Sequence, residues 1–227
     1  MGEQRRPAAR ATWAMPEALR AEWTALTAGL GEPRRLRAGE ALFRRDEPSD
    51  GFFLLEEGLA KASAVTTAGT ERLVEIMGPG CLFGEGTALE CSRRLVTVEA
   101  VSPLRLQRYQ AAAVTTAMQA DARIGLCLIR ILAAKQRSLA HRLIEVAALP
   151  PRERLLDLLG RLPDTFGTGT GTGTGRLPLT HEEIANYLGL SRITVTRTLA
   201  ALARGTPPAR LGAAVRVGSA RRQARCG

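Results

Sequence analysis

The apolar residues change their period along the chain. Between Pro16 and Gly29 they recur at helical spacing and predict a short helix. From Arg34 to Glu90 they break into short runs, Phe52 to Leu55 and Leu73 to Met77 among them. Turn-forming groups separate the runs: Ala38-Gly39, Pro48-Ser49-Asp50-Gly51, Glu57-Gly58, Ala68-Gly69 and Gly78-Pro79-Gly80. Runs at that spacing predict a small antiparallel sandwich or barrel ending near Tyr109. From Ala112 to Leu149 there is no proline and a single glycine, Gly125, so one long helix is expected. Within it Ile129, Leu132, Leu139, Leu143 and Val146 alternate at the three- and four-residue spacing of a coiled-coil seam, and Gln136 takes one seam position. Up to Leu126 the pattern serves packing within the domain and packing between helices equally. Beyond Ile129 it asks for a second copy of the helix, because a polar seam residue is tolerated when it meets its own copy and sets register.

Pro150-Pro151 must end that helix, since proline cannot continue the hydrogen-bond ladder and pushes its predecessor out of helical geometry. Three regions follow: 16–110, 111–149 and 150–227. The last opens with a helix from about Arg152 to Leu162. Alternating glycine and threonine from Gly167 to Gly175 then have nothing to bury and read as a loop, with no Gly-Lys-Ser/Thr behind them to make a phosphate loop. Thr180 followed three residues later by Glu183 is a capping box, predicting a helix that carries Ile184 and Leu188 inward until Gly189 breaks it. Ser191 caps a second helix in which Val195, Leu199 and Leu202 share one face, while Ile193, Thr196 and Arg197 point away and Arg192 flanks its start. Two short helices across a glycine turn make a helix-turn-helix, whose second helix suits a DNA major groove.

Charge sharpens that reading. The chain of 227 residues carries a formal net charge of +10. After Glu183 it has no acidic residue, and Arg192, Arg197, Arg204, Arg210, Arg216, Arg221, Arg222 and Arg225 supply +8 of the total. A GC-rich genome accounts for arginine over lysine, only Lys61 and Lys135 being lysines, but not for the missing carboxylates. An acid-free basic segment is the footprint of a phosphate-bearing partner. With 45% hydrophobic and 24% charged residues the composition is that of a globular protein. No apolar run reaches the roughly 18 to 20 residues of a membrane span, and "MGEQRRPAARATW" lacks the apolar stretch of a secretory signal, so a cytoplasmic location without a membrane partner is expected. Cys81, Cys91, Cys127 and Cys226 form no CxxC pair, and with only His141 and His181 beside them neither a metal site nor a disulfide framework is expected.

The string "THEEIANYLGLSRITVTRTLAAL" resembles the recognition motif of the Crp/Fnr family of bacterial transcription regulators. Upstream, "GEALFRRDEPSDGFFLLEEGLAKAS" and "GPGCLFGEGTAL" resemble that family's cyclic-nucleotide-type β-roll. The resemblance covers about residues 16 to 205 and implies an α+β fold: an N-terminal β-roll, a long dimerisation helix and a C-terminal winged helix-turn-helix. It further implies a homodimer on a pseudo-palindromic double-stranded DNA site, acting on RNA polymerase. The DNA-facing positions it marks are Thr180, Ser191, Arg192, Ile193, Thr194, Thr196 and Arg197. The wing departs from the pattern, since only Ala213 to Val217 reads as a strand there and a basic tail follows.

In members that bind cyclic AMP, a Gly-Glu pair and an Arg-Ser pair hold ribose and phosphate, and hydroxyls on the long helix meet the base. The corresponding effector pocket is Gly84, Glu85, Gly86, Arg94, Leu95, Leu139 and Ala140. Leu95 replaces the serine, and Leu139 and Ala140 stand where the hydroxyls should be, leaving a base edge unpaired at roughly 1 to 3 kcal/mol per group, which tells against cyclic AMP. Residues 1 to 80 hold no cysteine for an iron–sulfur cluster, and no histidine precedes His141 for haem, although Cys81 or Cys91 offers a sulfur ligand. Nearby arginines favour thiolate formation at Cys91, against which stands the plainer expectation of small, inert, half-buried cysteines. The effector stays unknown. The rival reading is a cyclic-nucleotide-binding or cupin-like regulatory protein without DNA binding; a cupin enzyme would need clustered histidine and carboxylate ligands, so no catalytic residues are expected.

Overall fold

The computed structural model describes residues 13–67, 69–166 and 179–204. The glycine–threonine repeat, the wing strand from Ala213 to Val217, the basic tail, Cys226 and Ala68 lie outside the described residues, as do the side chains of Val146 and Leu202.

Helix α1 (Glu17–Leu26) is followed by β1 (Gly31–Leu36), β2 (Ala41–Phe43), β3 (Gly51–Glu57), β4 (Ala60–Val65), β5 (Glu71–Met77), β6 (Leu82–Phe83), α2 (Glu85–Leu89), β7 (Thr97–Ala100) and β8 (Leu104–Gln110). The strands make two four-stranded antiparallel sheets, ordered β1-β8-β3-β6 and β2-β7-β4-β5. β3 explains why its sequence reads as an unbroken apolar run. Phe53 and Leu55 point between the sheets, where they meet Phe43, Val98 and Leu106. Phe52 and Leu54 point the other way, into a second core with Trp23, Tyr109, Val114, Cys127 and Ile131. A strand buried on both faces has no polar face to alternate with, and each such side chain contributes about 1.5–3 kcal/mol.

α1 ends three residues before the expected Gly29, because Thr27 directs both its amide and its hydroxyl to the Trp23 carbonyl and Gly29 turns the chain at φ 82°. The long helix expected over 112–149 is two: α3 (Ala111–Ala120) and α4 (Ala122–Ala148). The break falls at Asp121 and not at Gly125. Asp121 takes extended angles (φ −136°, ψ 100°), and its Oδ1 accepts from the Arg123 amide at 3.0 Å, so it caps α4 as a side-chain N-cap does. α4 buries Ile124, Cys127, Leu128 and Ile131 on one side. Elsewhere along α4, Ile129 (62% exposed), Leu139 and Leu143 (66% exposed) are open to solvent, with exposed Gln136 among them.

The last elements among the described residues are α5 (Pro151–Phe166), α6 (His181–Leu188) and α7 (Arg192–Arg204). Their apolar faces share one core, Leu155, Leu158, Leu159, Ile184, Leu188, Val195 and Leu199, to which β-roll residues Leu59, Leu73 and Ile76 also belong. The three helices pack on one another, and α6 seats the unit on the β4–β5 hairpin.

That hairpin begins at Gly58, where φ is +91° and a Cβ would be driven into the Pro103 carbonyl. Gly58→Ala is therefore expected to lower unfolding stability by about 1–3 kcal/mol in urea titration, whereas Gly86→Ala, whose Cβ meets nothing within 4 Å, should change it little.

Candidate functional site

The helix-turn-helix is assembled by its caps. Thr180 Oγ1 accepts from the Glu183 amide at 3.1 Å, and Glu183 Oε2 accepts from the Thr180 amide at 2.7 Å, a complete capping box at the start of α6. Gly189 ends α6 at φ 64°, ψ 38°, the left-handed geometry that glycine adopts without steric cost. Ser191 Oγ then accepts from the Thr194 amide at 3.1 Å and starts α7. Val195 is fully buried and Leu199 nearly so, which turns Arg192, Ile193 (63% exposed), Thr196 and Arg197 out to solvent together. Of the seven DNA-facing positions expected from the sequence, Thr180, Ser191 and Thr194 have their hydroxyls committed to caps, and these four make the open face. The sequence reading leaves out one residue: His181, whose Nδ1 lies 2.8 Å from Thr196 Oγ1.

The same carboxylate that closes the capping box also ties the unit to the β-roll. Glu183 Oε1 accepts from Lys61 Nζ at 2.8 Å, and Lys61 stands 3.5 Å from Glu99. Beside it Arg72 Nη1 donates to Asn186 Oδ1 at 2.5 Å, and the Arg142 guanidinium pairs with Glu75 at 2.7 Å while lying 4.4 Å from the Tyr187 ring centroid. Burial opposes the charge on both members of the first pair. The Lys61 hydrogen bond and the Thr180 amide nevertheless hold the Glu183 carboxyl below the usual range, and Glu183 holds the Lys61 ammonium above its own. At Glu75 burial wins over Arg142 and pushes the carboxyl up.

The expected effector residues come together only in part. Gly84 takes φ 82° and lets α2 start at Glu85, which is buried. Glu85 Oε1 accepts from Lys135 Nζ at 2.6 Å, and that ammonium also donates to the Leu82 carbonyl at 3.2 Å. Arg94 is buried too: its Nη2 donates to the Gly51 carbonyl at 2.6 Å and its Nη1 to the Gly84 carbonyl at 3.1 Å, and its guanidinium carbon lies 4.2 Å from the Phe43 ring centroid. Gly86 is exposed on α2. Leu95 is 73% exposed, and Leu139 and Ala140 are exposed on α4; the α4 residue that reaches Glu85 is Lys135, one turn before Leu139. The cysteines differ from the half-buried expectation. Cys81 and Cys127 are buried, and burial pushes both thiols up, while Cys91 is exposed at φ 52°.

Two family models match: a cyclic nucleotide-binding domain over residues 33–121 and a Crp-like helix-turn-helix domain over 153–205. The chain is 29% identical over 170 residues to a CRP-like cAMP-activated global transcriptional regulator of Mycobacterium tuberculosis, covering 74% of this chain and 76% of that one. To the transcriptional activator protein anr of Pseudomonas aeruginosa it is 25% identical over 165 residues, 72% and 67% of the two chains. Among solved structures, a CRP-family transcriptional regulator from Thermus thermophilus superposes with a TM-score of 0.62 at 26% identity, over 75% of this chain and 84% of that one. FixK2 from Bradyrhizobium japonicum shares the fold with a TM-score of 0.63 at 20% identity, over 79% and 90%.

Lys61→Met removes the tie to Glu183 while leaving the capping box, and is expected to weaken seating of α6 by about 1 kcal/mol, the pair being partly exposed. Hydrogen exchange should quicken in α6 and α7 and not in β3 or β8. Glu183, with its carboxyl held low, contributes above the ordinary carboxylate range and loses that contribution as pH falls through its lowered value. Lys61, held high, contributes until pH rises through its raised one. The difference between the two proteins should therefore be full at neutral pH and vanish in acid.

Proposed function

We propose that this chain, which belongs to the Crp/Fnr family of DNA-binding transcription regulators, works as a homodimer that lays α7 of each protomer into successive major grooves of a pseudo-palindromic site. The observation that carries the reading is the open face of α7, where Arg192, Ile193, Thr196 and Arg197 are exposed together in a segment that contains no acid after Glu183. Arginine suits guanine O6 and N7, and an exposed isoleucine between arginines suits a thymine methyl and cannot accept from cytosine N4. The rival without DNA binding leaves that face, and the Crp-like match over 153–205, unexplained.

Dimerisation is proposed through the apolar seam of α4, where Ile129, Leu139 and Leu143 stand exposed about Gln136 at coiled-coil spacing. Among the described residues no helix is long and apolar enough to cross a membrane. The site of action is the cytoplasm, where DNA and RNA polymerase meet, and no catalytic role is assigned. Control would come from an effector acting on the β-roll and passed to α6 through the β4–β5 hairpin on which it is seated. The mycobacterial relative is named as cAMP-activated, but the pocket residues here do not favour that nucleotide. Lys135 already pairs with Glu85 Oε1 and the Arg94 Nη donors go to backbone carbonyls, which leaves Glu85 Oε2 and Arg94 Nε as the buried atoms here without a partner among the described residues, and Leu95, Leu139 and Ala140 carry no hydroxyl.

Two experiments test the reading. Binding-site selection followed by gel retardation across a salt series should return a palindromic site whose affinity falls steeply as salt rises, is unchanged by cyclic AMP, and shifts toward C·G at one position in Ile193→Glu. Absence of retardation at low salt would refute DNA binding, and tightening by cyclic AMP would refute the pocket assignment. In sedimentation, the wild type should run as a dimer and Ile129→Glu with Leu143→Glu as a monomer, with DNA affinity lost; a wild-type monomer that binds one half-site would refute the seam.

A further inference from the structure

The hydroxyls along the exposed flank of α7 are engaged inside the protein before any ligand arrives. Ser191 Oγ and Thr194 Oγ1 share a hydrogen bond at 2.9 Å, and Thr198 Oγ1 donates to the Thr194 carbonyl at 2.8 Å. Thr196 is held from two sides. Its hydroxyl donates to the Arg192 carbonyl at 2.9 Å, one turn back along the helix, and the same oxygen lies 2.8 Å from Nδ1 of His181, the first residue of α6. A hydroxyl has one proton to give. The Arg192 carbonyl can only accept, so both contacts are hydrogen bonds at once in the tautomer whose Nδ1 carries the hydrogen, with Thr196 Oγ1 accepting from it. The Arg192 bond sets the rotamer, as the same bond does at Thr198, and the imidazole of the first helix occupies the position left on the Thr196 oxygen.

With its oxygen engaged twice, the group Thr196 presents outward is its methyl. Ile193 sits three residues earlier on the same exposed face, and residues at that spacing are neighbours on a helix surface. The outward face thus runs guanidinium, sec-butyl, methyl, guanidinium from Arg192 through Ile193 and Thr196 to Arg197. A threonine methyl, like an isoleucine side chain, packs on the C5-methyl of thymine, a group that cytosine and uracil lack.

We infer that His181 is a specificity-positioning residue of the DNA-reading surface: by holding the Thr196 hydroxyl it makes Thr196 a methyl reader, so that each half-site has two thymines recognised by their methyl groups, one through Ile193 and one through Thr196. The inference rests on the DNA-binding reading proposed above and adds a residue to it. His181 itself touches no base; it acts through Thr196. When the imidazole is removed, the Thr196 oxygen gains a free acceptor position, so the hydroxyl competes for base edges and the preference for thymine relaxes. Asparagine at 181 restores the effect, because its Nδ2–H can donate from a position close to that of imidazole Nδ1–H.

The test uses the full-length protein and the duplex it selects, with each thymine of the half-site replaced in turn by deoxyuridine, which removes one methyl and leaves the Watson–Crick edge intact. A lost methyl contact is expected to weaken wild-type binding about three- to fourfold, from the roughly 0.8 kcal/mol that one buried methyl-sized group contributes. Two such positions are expected per half-site. Ile193→Ala should lose sensitivity at one of them. His181→Ala and Thr196→Ser should lose it at the other, and His181→Asn and Thr196→Val should keep it. Thr196→Val secures the result if His181→Ala proves poorly folded, since valine retains the methyl without needing the histidine. Unchanged methyl sensitivity in a folded His181→Ala protein would overturn the inference, as would its loss in Thr196→Val. Tight, methyl-independent binding by the wild type would overturn it while leaving DNA binding intact, and failure to bind any duplex at low salt would overturn DNA binding itself.

Discussion

One carboxylate is shared between two parts of the molecule. Glu183 gives Oε2 to the amide of Thr180, closing the capping box from which α6 starts, and Oε1 to Lys61 on β4. The reading unit therefore cannot be described apart from the β-roll it rests on. The group that begins its first helix also anchors it to the sheet, and Ile184, one residue on, is fully buried in a core that includes Leu59 and Ile76 of the β-roll. The polar ring around that core, from Arg72 with Asn186 to Arg142 with Glu75, sets which way α6 faces. The apolar cluster supplies most of the holding energy, since partly exposed ion pairs contribute little, and the ion pairs supply register.

The chain's two lysines do parallel work. Lys61 joins the sheet to the reading unit, and Lys135 joins α4 to the start of α2 by neutralising Glu85. A buried carboxylate needs a partner, and where an effector's hydroxyl would meet Glu85 the chain provides its own ammonium. Arg94 is in the same position, its guanidinium turned to the carbonyls of Gly51 and Gly84 and stacked near Phe43. Glu85 Oε2 and Arg94 Nε are buried without a partner among the described residues, and these are the atoms an effector that acts here would meet without displacing the internal ones. α4 is common to this turn and to the hairpin, since Lys135 and Arg142 are one helix's contacts to α2 and to β5.

How much of this is legible in the chain follows from the range of each interaction. The capping box at Thr180 and Glu183, the glycine turn at Gly189 and the stop at Pro150-Pro151 are local, made by residues a few positions apart, and each can be read directly. So can the outward face of α7, because a helix of known start fixes which residues oppose Val195. The break at Asp121 escapes such reading because an aspartate inside an apolar helical pattern signals nothing by period; only its bond to the Arg123 amide reveals a cap. The seating of α6 on the β4–β5 hairpin is invisible for the opposite reason. Lys61 and Glu183 are 122 residues apart, and nothing local marks either as the other's partner. His181 is overlooked because its partner, Thr196, lies on another helix, and histidine in a first turn carries no distinctive pattern. Of the effector residues, Gly84, Glu85 and Arg94 cluster around one turn, and the α4 side chain that reaches Glu85 is Lys135, a turn from the aligned Leu139, a contact that no local pattern marks.

Everything proposed for this chain requires α7 to enter a major groove in each half of a dimeric complex. Methylation interference on the selected duplex probes that directly, because methyl groups placed on guanine N7 obstruct the major groove and those on adenine N3 the minor. Interference is expected at guanine N7 in two clusters about 10 to 10.5 base pairs apart, centre to centre, the spacing of successive grooves on one face. Interference at adenine N3 alone, or a single N7 cluster bound by one protomer, would contradict it.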